Sequence, residues 1–211
     1  MGQGFRLQGN VSGAIRSDAG MSLIDKDRAD KAFKAGKKEL DSFLRNKGFL
    51  KYKTTAYVRL NRLDVMEYID LQKEHYGSKT VTVNFALIPL CIPHNYLSFD
   101  LGDRLGMLIC GKDVWWDYAD EKIAAVSFGN IIQAIEVYLL PWFEEKASVN
   151  ALRQELINKK KERENNGGRL SDIQQQWLDS LDRNTDCEDI ISKNTEVLKL
   201  PRRICELSVR M

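Results

Sequence analysis

The spacing of apolar positions changes twice along this chain. From about Asp25 the spacing is helical: Phe33, Leu40, Phe43 and Leu44 fall at three- and four-residue steps on one stripe. Gly48 then offers the left-handed residue that ends a helix, and Phe49 can fold back on the last turn. The period next becomes two. Residues 54–60 read as a strand, Asn61 to Asp64 as a turn, and residues 65–72 as the antiparallel return. Tyr76-Gly77-Ser78 makes a second turn, after which Val81, Val83, Phe85 and Leu87 alternate with Thr80, Thr82, Asn84 and Ala86. Pro89 and Pro93 close this strand, which spans 80–88, and a further strand is predicted over 104–109 (RLGMLI).

After Trp115-Trp116 the pattern is helical to the end. Ile131, Ile135, Tyr138, Leu139 and Trp142 form a stripe that Ile132 and Phe143 widen, and Pro141 should kink that helix or end it near Leu140. Ser148 is placed to cap a helix carrying Leu152, Leu156 and Ile157, which stops at Gly167-Gly168. Ser171 with Gln174 forms a capping box ahead of Ile173, Trp177, Leu178 and Leu181. Asp186 is expected to cap another helix through Ile190 and Ile191, and Pro201 to begin a last short one. Helix, consecutive strands, then helices is the order of an α+β fold. The expected architecture is a mostly antiparallel sheet of four or five strands, packed by an N-terminal helix and C-terminal helices. Val81, Val83, Phe85 and Leu87 are assigned to the face those helices cover.

Three segments follow from the same pattern. Residues 1–24, rich in Gly and Ser with no period, are expected to be a flexible leader, and translation could begin at Met1 or Met21. Residues 25–147 form the α+β domain, and 148–211 a helical extension packed on it, too small for an independent core.

Composition adds little to this. Hydrophobic content of 43% and charged content of 29% are ordinary for a folded domain. The most apolar stretch, Ile131 to Phe143, is interrupted by Gln133 and Glu136 and falls short of a membrane span. The first twenty residues lack the apolar core of a secretion signal, so the expected location is the cytoplasm, with no membrane partner. Cys91, Cys110, Cys187 and Cys205 lack zinc spacing, so they are read as core residues or free thiols. A net charge of +2 makes nucleic acid an unlikely partner, and Lys159-Lys160-Lys161 are interleaved with Glu155, Glu162 and Glu164 as on a solvated helix face. Residues 101–150, however, carry four Lys/Arg against eight Asp/Glu, which is either an ordinary mixed surface or a patch for a basic partner.

Candidate chemistry is sparse. With only His75 and His94, a histidine triad or multi-histidine metal site is nearly excluded, and no nucleophile elbow, P-loop or dinucleotide fingerprint occurs. No catalytic residue, metal site or cofactor is therefore assigned. The run Asp100, Asp103, Arg104, Asp113 and Asp117 could gather carboxylates for a cation or for acid/base work, or could simply make turns. Trp115 and Trp116 cannot both face one side of a regular element; each is a core residue or an interface anchor.

In order along the chain, NKGFLKYKTTAYVRL (46–60), Gln72-Lys73, TVTVNFALIP (80–89), RLGML (104–108), the tryptophan pair and LLPWFEE (139–145) resemble the bacterial family called domain of unknown function 4304. The resemblance covers residues 30–146; it implies a fold and a bacterial origin, and carries over no catalytic residue. Glu74 departs from the small polar residue expected after Gln72-Lys73. The functional expectation is a protein-interaction module, with toxin-neutralising immunity proteins as one such class. Its speculative binding residues are Trp115, Trp116, Asp103, Arg104, Gln72 and Lys73. The alternative is an enzyme or a small-ligand or metal-binding protein built on carboxylates and Arg104. Oligomeric state is left open.

Overall fold

Helix α1 runs from Leu23 to Asn46 in the computed structural model, which describes residues 23–62, 64–181 and 188–201. Residues 1–22 of the expected leader, the Asp186 cap and the helix after Pro201 lie outside the described residues; Leu23 and Ile24, the last two residues of that leader, belong to the helix, which begins at Leu23 rather than near Asp25. Ala29, Ala32, Phe33, Leu40 and Leu44 face the core. Gly48 takes φ +86°, the Gly48 N–H donates to Arg45 O (3.0 Å) and the Phe49 N–H to Leu44 O (2.9 Å). That pair of bonds closes the last turn and drops Phe49 into the core.

Five strands follow: β1 (Leu50–Lys51), β2 (Ala56–Arg62), β3 (Val65–Lys73), β4 (Thr80–Pro89) and β5 (Gly102–Arg104), antiparallel and in that order. A sixth, β6 (Trp116–Asp117), pairs with β4 beside β5, opposite Thr80 and Val81. The predicted strand over 104–109 is not formed. Strand β5 ends at Arg104 and Leu105–Cys110 is a helix, α2, closed by Gly111 at φ +68°. A short apolar run fits either state. Here the helix lets Leu105 bury fully while Gly106 lies against the returning backbone at Lys112 and Val114.

Helices α3 (Glu121–Ala134) and α4 (Leu140–Lys146) are joined without a break by a π-helical turn, Ile135–Leu139. Pro141 therefore does not end the helix, which continues to Lys146. Its ring would crowd the carbonyl four residues back, and the wide turn just before it relieves that clash. The same turn keeps the stripe aligned. Buried Ile131, Ile135, Leu139 and Phe143 are spaced by four, which in an α-helix drifts by about 40° per step. Glu121–Lys146 is, by length and composition alone, apolar enough to cross a membrane, and 44% of its most apolar window is buried inside the fold.

Val81, Val83, Phe85 and Leu87 are all buried, in a core shared with α1, α3 and α4, as the alternation predicts. Helices α5 (Val149–Asn165) and α6 (Asp172–Leu181) add Leu152, Leu156, Trp177 and Leu178 to this core. Ser148 caps α5 through the Ala151 N–H (3.2 Å), and Ser171 and Gln174 exchange the two bonds of a capping box. The opposite sheet face carries a second, smaller core. Val58, Met66, Tyr68, Ala86 and Ile88 are buried there beneath Ile191 of α7 (Glu188–Val197), with Leu198 and Leu200.

Helix α7 is fastened by polar contacts as well. The Asn194 carboxamide is buried and donates to Leu90 O (2.7 Å) and Ile92 O (2.6 Å), while its oxygen accepts from the His94 N–H (2.9 Å). The His94 ring lies edge-on to Trp177, with Nε2 2.6 Å from Pro89 O, so this nitrogen carries the proton. Burial pushes the imidazole below its ordinary 6.5. The unfolded chain takes up a proton near 6.5 and the folded one only at lower pH. Stability is therefore complete above about 6.5 and declines as pH falls toward the folded value. Melts at about pH 7.5 and 5.5 should show a loss in the wild type that His94→Gln, which keeps an N–H for Pro89, largely removes. Equal losses in both proteins would contradict this assignment.

Candidate functional site

Helix α7 covers only the apolar half of the second sheet face. Beyond it the register places Asp70, Asn84 and Arg104 side by side on β3, β4 and β5. Gly102 sits one pleat further along, opposite Ala86; a Cβ there would lie 2.1 Å from Phe85 O, so only glycine lets β5 close on β4. The bare backbone leaves a cleft of about 270 Å³ lined by Tyr68, Asp70, Asn84, Phe99 and Arg104, with Asp103 at its lip.

Each wall has its own chemistry. Asp70 accepts from Thr55 Oγ1 (2.9 Å), yet burial in the cleft floor outweighs this and raises its carboxyl above the usual range. Such a group gains from a partner that donates hydrogen bonds or carries positive charge. Asn84 Nδ2 donates to Gln72 Oε1 (3.0 Å), presenting a fixed pair of carboxamides. Phe99, 49% exposed, leans on Tyr68 at 4.9 Å between ring centres. Arg104 pairs with the Asp113 carboxylate and lies over the Trp115 ring at 5.3 Å, while its N–H donates to Asp103 Oδ1 (2.7 Å).

The six sequence candidates separate here. Gln72, Arg104 and Trp115 gather around the cleft, and Asp103 is exposed at its edge. Trp116 is opposite Val81 and packs, partly buried, against the main core. Lys73 turns to the helix side, 3.1 Å from Asp30 and 3.9 Å above the Phe33 ring, because neighbouring strand residues point to opposite faces. The carboxylate run disperses. Asp100 accepts from Ser98 and from Ser171 Oγ (3.1 Å) and gives its carbonyl to Gln174 Nε2 (3.0 Å), so it docks α6. Asp117 accepts from the Ala119 N–H (2.7 Å) in a turn, and among the described residues no three of His, Cys, Asp and Glu come together to hold a metal. His75 is exposed in the turn that Glu74 organises through Tyr76 and Ser78.

Sequence reasoning overlooked Tyr68, Asp70, Asn84 and Phe99. A signal existed for two of them: Asp70 and Asn84 are polar residues inside otherwise apolar strands, and a buried polar group is the informative exception. Phe99, between two prolines' loop and β5, carried none.

A family model described as Domain of unknown function (DUF4304) matches residues 40–145. No curated protein and no solved structure matches this chain.

Proposed function

Because this chain belongs to the Domain of unknown function (DUF4304) family, its activity has to be read from its own surfaces, and we propose that it is a protein-interaction module. The observation that carries the reading is the cleft on the uncovered half of the sheet. It presents a half-exposed phenylalanine, a guanidinium over a tryptophan ring, a fixed pair of carboxamides and a partly buried carboxyl group. Aromatic and arginine side chains are the residue types that anchor protein interfaces. The desolvated Asp70 favours a partner presenting a basic or hydrogen-bond-donating side chain, in keeping with the acidic balance of residues 101–150. Cys110 is a free thiol, which suits a cytoplasmic setting. Occlusion of a partner, as an immunity protein does it, is one form such binding takes.

The test begins with affinity capture by the wild-type protein and continues with titration of the captured partner. Phe99→Ala and Trp115→Ala should each weaken binding by about 2–4 kcal/mol, roughly thirty- to a thousand-fold, with circular dichroism unchanged. Trp116→Ala is instead expected to lower thermal stability, since that ring packs on the core. If folded Phe99 and Trp115 variants bind as tightly as wild type, the cleft is not the interface.

A further inference from the structure

The cleft on the uncovered half of the sheet has room for one side chain, and its walls select the kind. At about 30 Å³ for a water-sized group, its volume of about 270 Å³ takes on the order of nine such groups, less than a drug-sized ligand fills. Its charges do not cancel. Asp70 and Asp103 line it against one cation, Arg104, whose guanidinium is already paired with the Asp113 carboxylate and held over the Trp115 ring. The Lys53 charge also acts on Asp70, but its ammonium lies over the Tyr52 ring and makes no ion pair with Asp70 among the described residues. Three carboxylates (Asp70, Asp103 and Asp113) thus face two cations, and the excess is negative.

The excess falls on the floor. Asp70 takes one hydrogen bond from Thr55 through Oδ1 (2.9 Å), and burial raises its carboxyl, the mark of a carboxylate short of positive charge. Asn84 spends its amide nitrogen on Gln72 and keeps its oxygen as an acceptor. The rings of Tyr68 and the half-exposed Phe99 supply aromatic surface in the same walls. A guanidinium suits this set: it is planar, stacks on aromatic rings and donates to several acceptors at once. An ammonium is a compact point charge that gives up its water less readily. On the premise that this cleft meets a protein partner, we propose that it is a socket for one arginine side chain of that partner. The guanidinium pairs with Asp70, donates to Asn84 and lies against Phe99 and Tyr68.

The probes are the amides of Nα-acetyl-arginine, Nα-acetyl-lysine and Nα-acetyl-citrulline, a neutral isostere, titrated into the isotope-labelled full chain by nuclear magnetic resonance. Saturable shifts are expected at the amides of Asp70, Asn84 and Arg104. Arginine should bind at least about ten-fold more tightly than citrulline, and more tightly than lysine. Asp70→Asn, which keeps an acceptor for Thr55, should abolish the preference over citrulline and weaken the captured partner at least about ten-fold, with circular dichroism unchanged. The socket is overturned by any of three results: no saturable shift at probe concentrations on the order of tens of millimolar, equal affinity for citrulline, or lysine bound as tightly as arginine. If Phe99→Ala and Trp115→Ala lose the partner while Asp70→Asn keeps it, the interaction function stands and the arginine is wrong. If the arginine probe binds but all three variants hold the partner as wild type does, the interaction function at this cleft falls, and the partner's arginine with it.

Discussion

Replacing Arg59 by methionine is expected to destabilise the protein by about 3–5 kcal/mol, a loss of roughly 6–20 °C in melting temperature. Arg59 Nε lies 2.6 Å from Oε2 of Glu67, whose side chain is fully buried between β2 and the helix layer. The guanidinium also donates to Lys47 O (2.8 Å) and covers the Phe49 ring at 4.6 Å. The substitution keeps the aliphatic stem and removes the guanidinium, so the fully buried Glu67 loses its 2.6 Å ion pair. The destabilisation measures the loss of this partner by a buried carboxylate and not the net worth of the pair, so Arg59→Met/Glu67→Leu should recover most of it. Urea unfolding of wild type, single and double variants tests this. A single variant within about 1 kcal/mol of wild type, or a double variant as unstable as the single, would sink the account.

The second large effect is expected at Asn194, far along the chain. Asn194→Ala removes three hydrogen bonds at once and leaves the carbonyls of Leu90 and Ile92 and the His94 N–H inside the fold. At about 1–3 kcal/mol for each stranded group, and with some relaxation, the loss should reach about 3–5 kcal/mol. Asn194→Asp should be worse than alanine, because a carboxylate oxygen would replace the nitrogen that faces both carbonyls. Hydrogen exchange separates the local consequence from the global one. In the alanine variant the amides of α7 should lose protection while those of β3 keep theirs. Uniform protection across both elements, with unchanged stability, would show that the carboxamide is not what holds α7.

Most of the scaffold is legible in the chain because period and punctuation agree: the alternation in β4, the Gly48 stop, and the Ser148 and Ser171 caps each specify local geometry by short-range chemistry. The misreadings fall where a tertiary contact decides. Residues 105–110 could pair or coil, and the choice rests on the fit of Leu105 and Gly106 against β4 and a returning loop. Pro141 signals a break, yet the signal for tolerance is the four-residue spacing of Ile131, Ile135, Leu139 and Phe143, visible only once a wide turn is admitted. The second core is hidden because Ala86 and Ile88 occupy positions that alternation assigns to the solvent side. Half of the site was read for a like reason. Gln72 and Lys73 are adjacent in sequence and on opposite faces of the sheet, so a dipeptide cannot mark one surface.

The lateness of α7 has a consequence for synthesis. Its lock on residues 90–94 joins positions about a hundred apart, and Leu198 and Leu200 complete the cover over Met66 and Ile88. At ordinary translation rates the nascent chain needs roughly 5–20 s to travel from Leu90 to Leu200. Throughout that interval β2, β3 and β4 can fold against α1, but one apolar surface of the new sheet stays uncovered. This is a window in which neighbouring polysome chains can stick together, and in which a holdase chaperone would find its substrate.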